Sequence, residues 1–374
     1  MPTYLSVLGR EPELSIAEFL AVLQQHNITY SNPVRKGEYF FINSQDDFSC
    51  AELLKQLGGT VLLAKKYDAS PTETSLADLL ESLVSVGKIT FSLHTKRHAT
   101  PLALSVKKEL KSRGRAVRYV APKNTATIIH NNLDTGRGDI YIVEEVVYVT
   151  QAVQDIEGFS HRDYERPRVD TRSGMLPPKL SRIMINLAGG KQISSLHDPF
   201  CGSGTVLMEA VDLGIAQVSG SDLSEKAVDD TKENLQWLSN QPRENTPTSW
   251  VKKIDATTLS SHITAESIQA IVTEPYMGTP LRGRESLSLL QKQANELKRL
   301  YRNVLIELHT VLKTNGVVVM IFPSFYWNDT WIHTIDKDAL APYFSIELQQ
   351  GKPFLRYHRN DQHLARDIWV LRKI

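Results

Sequence analysis

Cysteine is scarce in this chain of 374 residues: Cys50 and Cys201 are the two it has. Two thiols exclude a disulfide framework and any multi-cysteine zinc site, so no metal is expected. No apolar run approaches the roughly 20 residues that span a bilayer. The residues after Met1 lack the basic, apolar, small-residue order of a secretion signal. Repeats and low-complexity tracts are missing as well. A cytoplasmic protein that engages no membrane is the expectation. The chain is 41% hydrophobic and 23% charged, the composition of a globular protein. Its length exceeds one ordinary core and predicts two or three domains.

The net charge is only +1, but it averages an uneven chain. Between His94 and His130 stand nine basic residues: Lys96, Arg97, Lys107, Lys108, Lys111, Arg113, Arg115, Arg118 and Lys123. Glu109 alone opposes them, a local excess of eight positive charges. Phosphate binding has this footprint. A solvated helix face can carry it too, and charge runs usually are that.

Apolar periodicity predicts strand, helix, strand, strand, helix, strand at 3–8, 12–25, 28–34, 38–42, about 47–57 and 60–66. That order is ferredoxin-like and places a first domain over residues 1–68. Such a fold hosts many activities and implies none. A second α/β domain is expected over 69–158, with helices at 75–84, 101–113 and 125–132. Its strands are expected at 89–93, 116–120, 139–144 and 146–153. The basic residues fall on its middle helix and the following strand, so they cluster in space. Residues 159–178, FSHRDYERPRVDTRSGMLPP, lack apolar period and read as a linker. Over 179–374 strands and helices alternate, the pattern of an α/β domain with a parallel sheet covered on both faces. Two final extended segments, 352–357 and 364–371, have no helix between them and predict a terminal antiparallel hairpin.

The segment SSLHDPFCGSGTVLMEAVDLG carries the strongest signal. A strand leads to Asp198, Pro199 and Phe200, then Gly202 and Gly204 turn the backbone and Thr205 begins a helix. Glycine is needed where a chain turns sharply and a ligand comes close, and the open helix N-terminus offers unpaired N–H groups. A purely structural strand-to-helix turn is the alternative. Asp222, with Leu223, ends the next strand at the spacing of an acid that binds ribose hydroxyls. Asp255, with Ala256, ends the third, where a carboxylate can accept from an adenine amino group. Each Asp could instead cap a helix. A dinucleotide site wants GxGxxG, and this turn lacks the third glycine. S-adenosylmethionine is therefore the expected cofactor. Cys201 reads as a small turn residue rather than a nucleophile.

The fourth strand ends in IVTEPYMG. This resembles the (Asp/Asn)-Pro-Pro-(Tyr/Phe) motif of enzymes that methylate exocyclic amines. Glu274 would accept one amine hydrogen, the Pro275 carbonyl the other, and Tyr276 would stack on the base; an incidental Glu-Pro-Tyr turn is the alternative. The turn DPFCGSGTVLMEA, the stretch RDYERPRVD with GMLPPKLSRIMINLA, and the tail FLRYHRNDQHLARDIWVL are together similar to the THUMP-domain tRNA guanine-N2-methyltransferases that act on guanine 10. The resemblance implies a class I, Rossmann-like methyltransferase domain behind an RNA-gripping THUMP module, with tRNA as partner and room for a small activator subunit. The family has Asp-Pro-Pro-Tyr where this chain has Glu-Pro-Tyr-Met. Either Glu274 replaces the Asp, which keeps Gly278 in register, or the motif is one residue shorter and Thr273 fills that position. Two other readings stay open: a DNA adenine or cytosine amino-methyltransferase, and an RNA-binding protein with a degenerate catalytic motif.

Overall fold

The computed structural model describes residues 1–96, 98–169, 175–240, 248–359 and 362–374. It divides into two compact units, the first of residues 1–12 and 26–155, the second of residues 13–25 and 156–374. The first unit opens with β1 (Thr3–Leu8); α1 (Pro12–Gln25), which follows, belongs almost wholly to the second unit. Then come β2 (Tyr30–Lys36), β3 (Tyr39–Ser44), α2 (Cys50–Leu54) and β4 (Thr60–Lys66). This is the element order read from the sequence. Helix α2 is shorter than the expected 47–57, because Ser49 caps it by accepting the Glu52 N–H.

The chain continues with α3 (Glu73–Leu83), β5 (Ile89–His94), α4 (Ala99–Ser112), β6 (Val117–Tyr119), α5 (Thr125–His130), β7 (Asp139–Val143) and β8 (Val146–Val153). All eight strands form one sheet in the order β2-β3-β1-β4-β8-β7-β5-β6. Antiparallel pairing of β4 with β8 joins the two halves. The border expected at residue 68 therefore falls inside a single compact unit. Helices α3 and α4 cover part of this sheet through Leu76, Leu80, Ala103, Val106 and Leu110.

The second unit begins with α1, whose buried Glu18 accepts from Asn186 at 2.7 Å. Next stand α6 (Ile156–Ser160) and a π-helical turn, His161–Glu165. The stretch expected to be a linker is thus partly helical, and Phe159, Arg162 and Arg166 are buried. Periodicity failed here because arginines, held by hydrogen bonds inside the unit, do part of the burying. Residues 170–174 of that stretch lie outside the described residues.

There follow α7 (Pro178–Leu187), β9 (Ser195–Asp198), α8 (Thr205–Leu213), β10 (Gln217–Asp222), α9 (Glu225–Ser239), β11 (Thr248–Lys253), β12 (Ile268–Thr273), α10 (Leu287–Val311) and β13 (Leu312–Trp327). The end of the chain supplies β14 (Thr330–His333), α11 (Lys337–Leu340), β15 (Phe344–Ile346), β16 (Leu355–Tyr357) and β17 (Leu364–Lys373). The main sheet runs β11-β10-β9-β12-β13-β17-β15. From β11 to β13 it is parallel, while β17 lies antiparallel between β13 and β15. The antiparallel terminal strand is as expected; β14 and β15 were not read from sequence.

Strands β12 and β13 are apolar on both faces because helices cover both. Val272, Val317 and Val319 face α7, α8 and α9, whereas Ile271, Val318 and Met320 face α10. Along α10, Leu290, Ala294, Leu297, Tyr301, Val304 and Leu308 recur every three or four residues and form its buried stripe. No helix among the described residues is long and apolar enough to cross a membrane.

Candidate active site

The C-terminal ends of β9, β10 and β12 converge on a cavity of about 950 Å³. Nearly every residue expected at the cofactor site lines it: Asp198, Pro199, Phe200, Gly202, Thr205, Asp222, Leu223, Asp255 and Ala256, with Glu274, Pro275 and Tyr276 along the same wall. This is where open α/β sheets hold ligands.

Each glycine of the turn has a separate physical role. Gly202 has φ +52°, a left-handed conformation, and its N–H donates to Asp222 Oδ2 at 3.0 Å. Gly204, at φ +86°, does not line the cavity. A Cβ there would come within 2.8 Å of the Thr231 methyl, so this glycine admits α9 rather than a ligand. Cys201 is buried, burial pushes its thiol far up, and Thr231 donates to its Sγ at 3.6 Å. Such a thiol is no nucleophile.

Both oxygens of Asp222 are oriented by backbone, since Ser224 N–H donates to Oδ1 at 2.9 Å. Each retains a lone pair for a hydroxyl. The cap of α9 is Ser224, which leaves Asp222 outside the capping role. Asp255 does cap: its Oδ1 accepts from Thr257 N at 2.9 Å and Oγ1 at 2.7 Å at the start of a short 3₁₀ segment. Capping and lining the cavity coexist there.

Asp198 is 2% exposed. Burial pushes its carboxyl up to about 7, against the pull of hydrogen bonds from Thr273 Oγ1 at 2.6 Å and Phe200 N at 3.0 Å; Asp222 and Glu274 add repulsion. Thr273 is fully buried, spends its hydroxyl on Asp198 and is not part of the cavity wall. Glu274 is on the wall, which favours the register that starts the motif at Glu274.

Glu274 has a side chain only 14% exposed. Arg366 of β17 donates Nε to its Oε1 at 2.5 Å. Burial raises the Glu274 carboxyl and the Arg366 guanidinium offsets part of that rise. The loop behind it is fastened to α10. Tyr301 Oη donates to the Tyr276 carbonyl at 2.7 Å, and Gln293 Nε2 to the Thr279 carbonyl at 3.0 Å. Gly278, at φ +92°, lies where a Cβ would strike Gln293. Tyr276 is 56% exposed and available to a planar partner. Arg366 and Tyr301 went unread in the sequence; an arginine within the apolar tail strand was the available signal.

The comparisons with known proteins meet this geometry directly. Residues 165–326 match a family described as UPF0020: RMKL-like, methyltransferase domain. Two relatives are each named tRNA (guanine(10)-N2)-dimethyltransferase. The one from Methanothermobacter thermautotrophicus is 32% identical over 202 residues, 54% of this chain and 50% of its own length. The one from Methanocaldococcus jannaschii is 29% identical over 190 residues, 50% of this chain and 48% of its own length. The chain thus spans about half the length of these curated relatives. Among solved structures, TrmN from Thermus thermophilus covers 100% of both chains with a TM-score of 0.54 at 17% identity, which shows a shared fold. The sheet of the second unit is accordingly a Rossmann-like α/β sheet.

The basic residues of the first unit fall into three groups. Lys96, Lys108, Lys111, Arg118 and Lys123 are exposed and Lys107 is half-buried; none of the six has an ion-pair partner among the described residues. Arg113 is consumed within its own unit by Asp78 (2.5 Å), Glu81 (3.0 Å) and Glu109 (2.9 Å). Arg115 donates to the Val84 carbonyl at 2.6 Å and stands 3.7 Å from Glu81. These two arginines, expected as phosphate ligands, are held by partners within their own unit. Arg97 lies outside the described residues.

Proposed function

We propose that this protein transfers a methyl group from S-adenosylmethionine to the exocyclic 2-amino group of a guanine in tRNA. One observation carries the reading: Glu274, Pro275 and Tyr276 share a cavity wall with the glycine-rich turn and Asp222. The relatives' names support the substrate, and guanine 10 is the position they point to.

The cavity suits this cofactor chemically. Asp222 offers oriented acceptors for ribose hydroxyls, and Asp255 offers one for an adenine amine. Asp222 and Glu274 repel the Asp198 carboxylate, and a cationic ligand beside them relieves that repulsion. When bound, S-adenosylmethionine supplies an electrophilic methyl group on a sulfonium. The protein's task is to make a poor nucleophile competent. The guanine amine has its lone pair delocalised into the ring. Glu274 and the Pro275 carbonyl accept its two hydrogens and concentrate electron density on nitrogen. Tyr276 stacks on the extruded base, an interaction worth about 1–3 kcal/mol. Arg366 fixes the Glu274 carboxylate, and Tyr301 fixes the loop that carries Tyr276. In the first unit, Lys96, Lys107, Lys108, Lys111 and Arg118 are the candidates to grip tRNA phosphates in the manner of a THUMP module.

The test is methyl transfer by the full chain from labelled cofactor to unmodified tRNA, with the product nucleosides mapped. N2-methylated guanosine is expected, and its mono- and dimethyl forms separate at this step. Methylated adenosine or cytidine, or no product despite tight cofactor binding, would overturn the proposal.

A further inference from the structure

Three arginines are buried beside α8, and two of them are neutralised. Arg162 donates to Glu209 at 2.5 Å, and Arg182 donates to Glu209 at 2.7 Å and Asp212 at 2.6 Å. The third is different. Arg166 is 3% exposed, yet its bonds go to two neutral groups, the Thr205 hydroxyl at 2.7 Å and the Met175 thioether at 2.8 Å. Among the described residues its Nε has no hydrogen-bond partner. Asp163 and Glu209 act on it through space, and no carboxylate among the described residues forms an ion pair with it. A buried guanidinium is costly unless an anion meets it. A thioether is a weak acceptor and a poor substitute for one.

Its position shows which anion fits. Thr205 is the first residue of α8, and Thr205 and Met175 both line the cavity. The guanidinium therefore lies one side chain behind the wall, at a helix end that already favours negative charge. Asp198, Asp222, Asp255 and Glu274 make most of the charged lining acidic, and the Lys226 ammonium on the wall is paired with Asp230, so an anionic group entering the cavity has the Arg166 end to prefer. We propose that Arg166 receives the α-carboxylate of the amino-acid portion of the cofactor, displacing the Met175 thioether. The inference rests on the methyl-donor reading and assigns one residue to one part of that ligand. Burial also lowers the Arg166 pKa, the mark of a cation in want of a counter-charge.

Two nucleosides isolate the carboxylate. S-adenosylhomocysteine carries the amino-acid chain, whereas 5′-methylthioadenosine has the same adenosine and thioether without it. In calorimetry with the full chain, Arg166→Met should weaken S-adenosylhomocysteine about 10- to 100-fold, the range for losing a hydrogen-bonded charge. It should leave 5′-methylthioadenosine within about twofold, since that ligand has no group to lose. Arg166→Lys keeps the charge but not the fork, and should recover part of the loss. It also serves as the reporter if Arg166→Met does not fold. Equal losses for both nucleosides in a folded variant would overturn this inference and leave the methyl-donor reading intact. Failure of both nucleosides to bind the unmutated chain would overturn the two together.

Discussion

The first unit carries free lysines on the solvent side of α4, while the second buries three arginines against α8. Both stretches are rich in positive charge, but their surroundings make them different objects. Around Lys107, Lys108 and Lys111 water supplies the solvation, so each charge costs little and stays available to a partner. Around Arg162 and Arg182 water is excluded, and Glu209 and Asp212 must replace it. Arg113 falls between the two cases, at the surface yet held by three carboxylates. Availability for binding is thus set by partners and burial, not by the density of basic residues.

The strongest test of this contrast removes the shared anion of the buried cluster. Glu209→Ala takes one anion from two buried guanidinium groups, which keep Asp212, and should cost the second unit about 3–5 kcal/mol, measured by urea denaturation. A loss under 1 kcal/mol would mean that the cluster is hydrated and resembles the surface set after all.

Next in size is the carboxylate proposed to be catalytic. Glu274→Ala should lower turnover on tRNA about 100-fold, the scale for removing a preorganised polar group, with cofactor affinity retained. Glu274→Gln keeps an acceptor and should lose less. Tyr276→Phe should be nearly silent because the ring face does the stacking, whereas Tyr276→Ala should not. Full methylation by Glu274→Ala would move the role to Thr273. Asp222→Ala should then weaken cofactor binding by about 1–3 kcal/mol, the cost of leaving buried polar groups unpaired. Unchanged affinity in calorimetry would remove Asp222 from the site.

These residues were unequally legible in the sequence. The turn from Asp198 to Thr205 could be read because its signal is local: a strand, two glycines and a helix start within eight positions. Helix α1 kept its expected bounds for the same reason, yet nothing local reveals that its Glu18 is buried against Asn186, 168 residues away. Arg366 lies 92 residues from the Glu274 it holds, and pairing of β17 with β13 brings them together. The segment around Arg162 and Arg166 was misread because burial by charged side chains leaves no apolar period. Site chemistry carried by one segment was visible, and chemistry assembled by tertiary pairing was not.

Asp198 extends the comparison to protons. Its folded pKa of about 7 lies above the unfolded value of about 3.9. The folded state therefore holds more proton than the unfolded state between those values, and stability falls as pH rises through that window. Asp198→Asn removes this slope. Relative to the unmutated chain, its unfolding free energy should climb from pH 4 to pH 7 and level off above. A difference flat with pH would mean that Asp198 is ionised throughout.

The smallest effect discriminates most finely, because it sets free charge against bound charge within one unit. Lys107, Lys108 and Lys111 lie on one helix with no anionic partner among the described residues, whereas Arg113, one turn beyond Glu109, is bound three times over. If availability governs phosphate binding, replacing the three lysines with glutamine should weaken tRNA binding. It should also flatten the dependence of log affinity on log salt by about 2–3, near one for each phosphate no longer neutralised. Arg113→Gln removes a positive charge from the same neighbourhood but no available donor, so its salt slope should match that of the unmutated chain. Cofactor affinity is the control, since neither change touches the cavity lining. Equal flattening by Arg113→Gln and by the lysine set, scaled per charge, would mean that tRNA responds to the total field of the unit. The distinction between free and internally paired cations would then fail at the surface, where solvent screening is strongest.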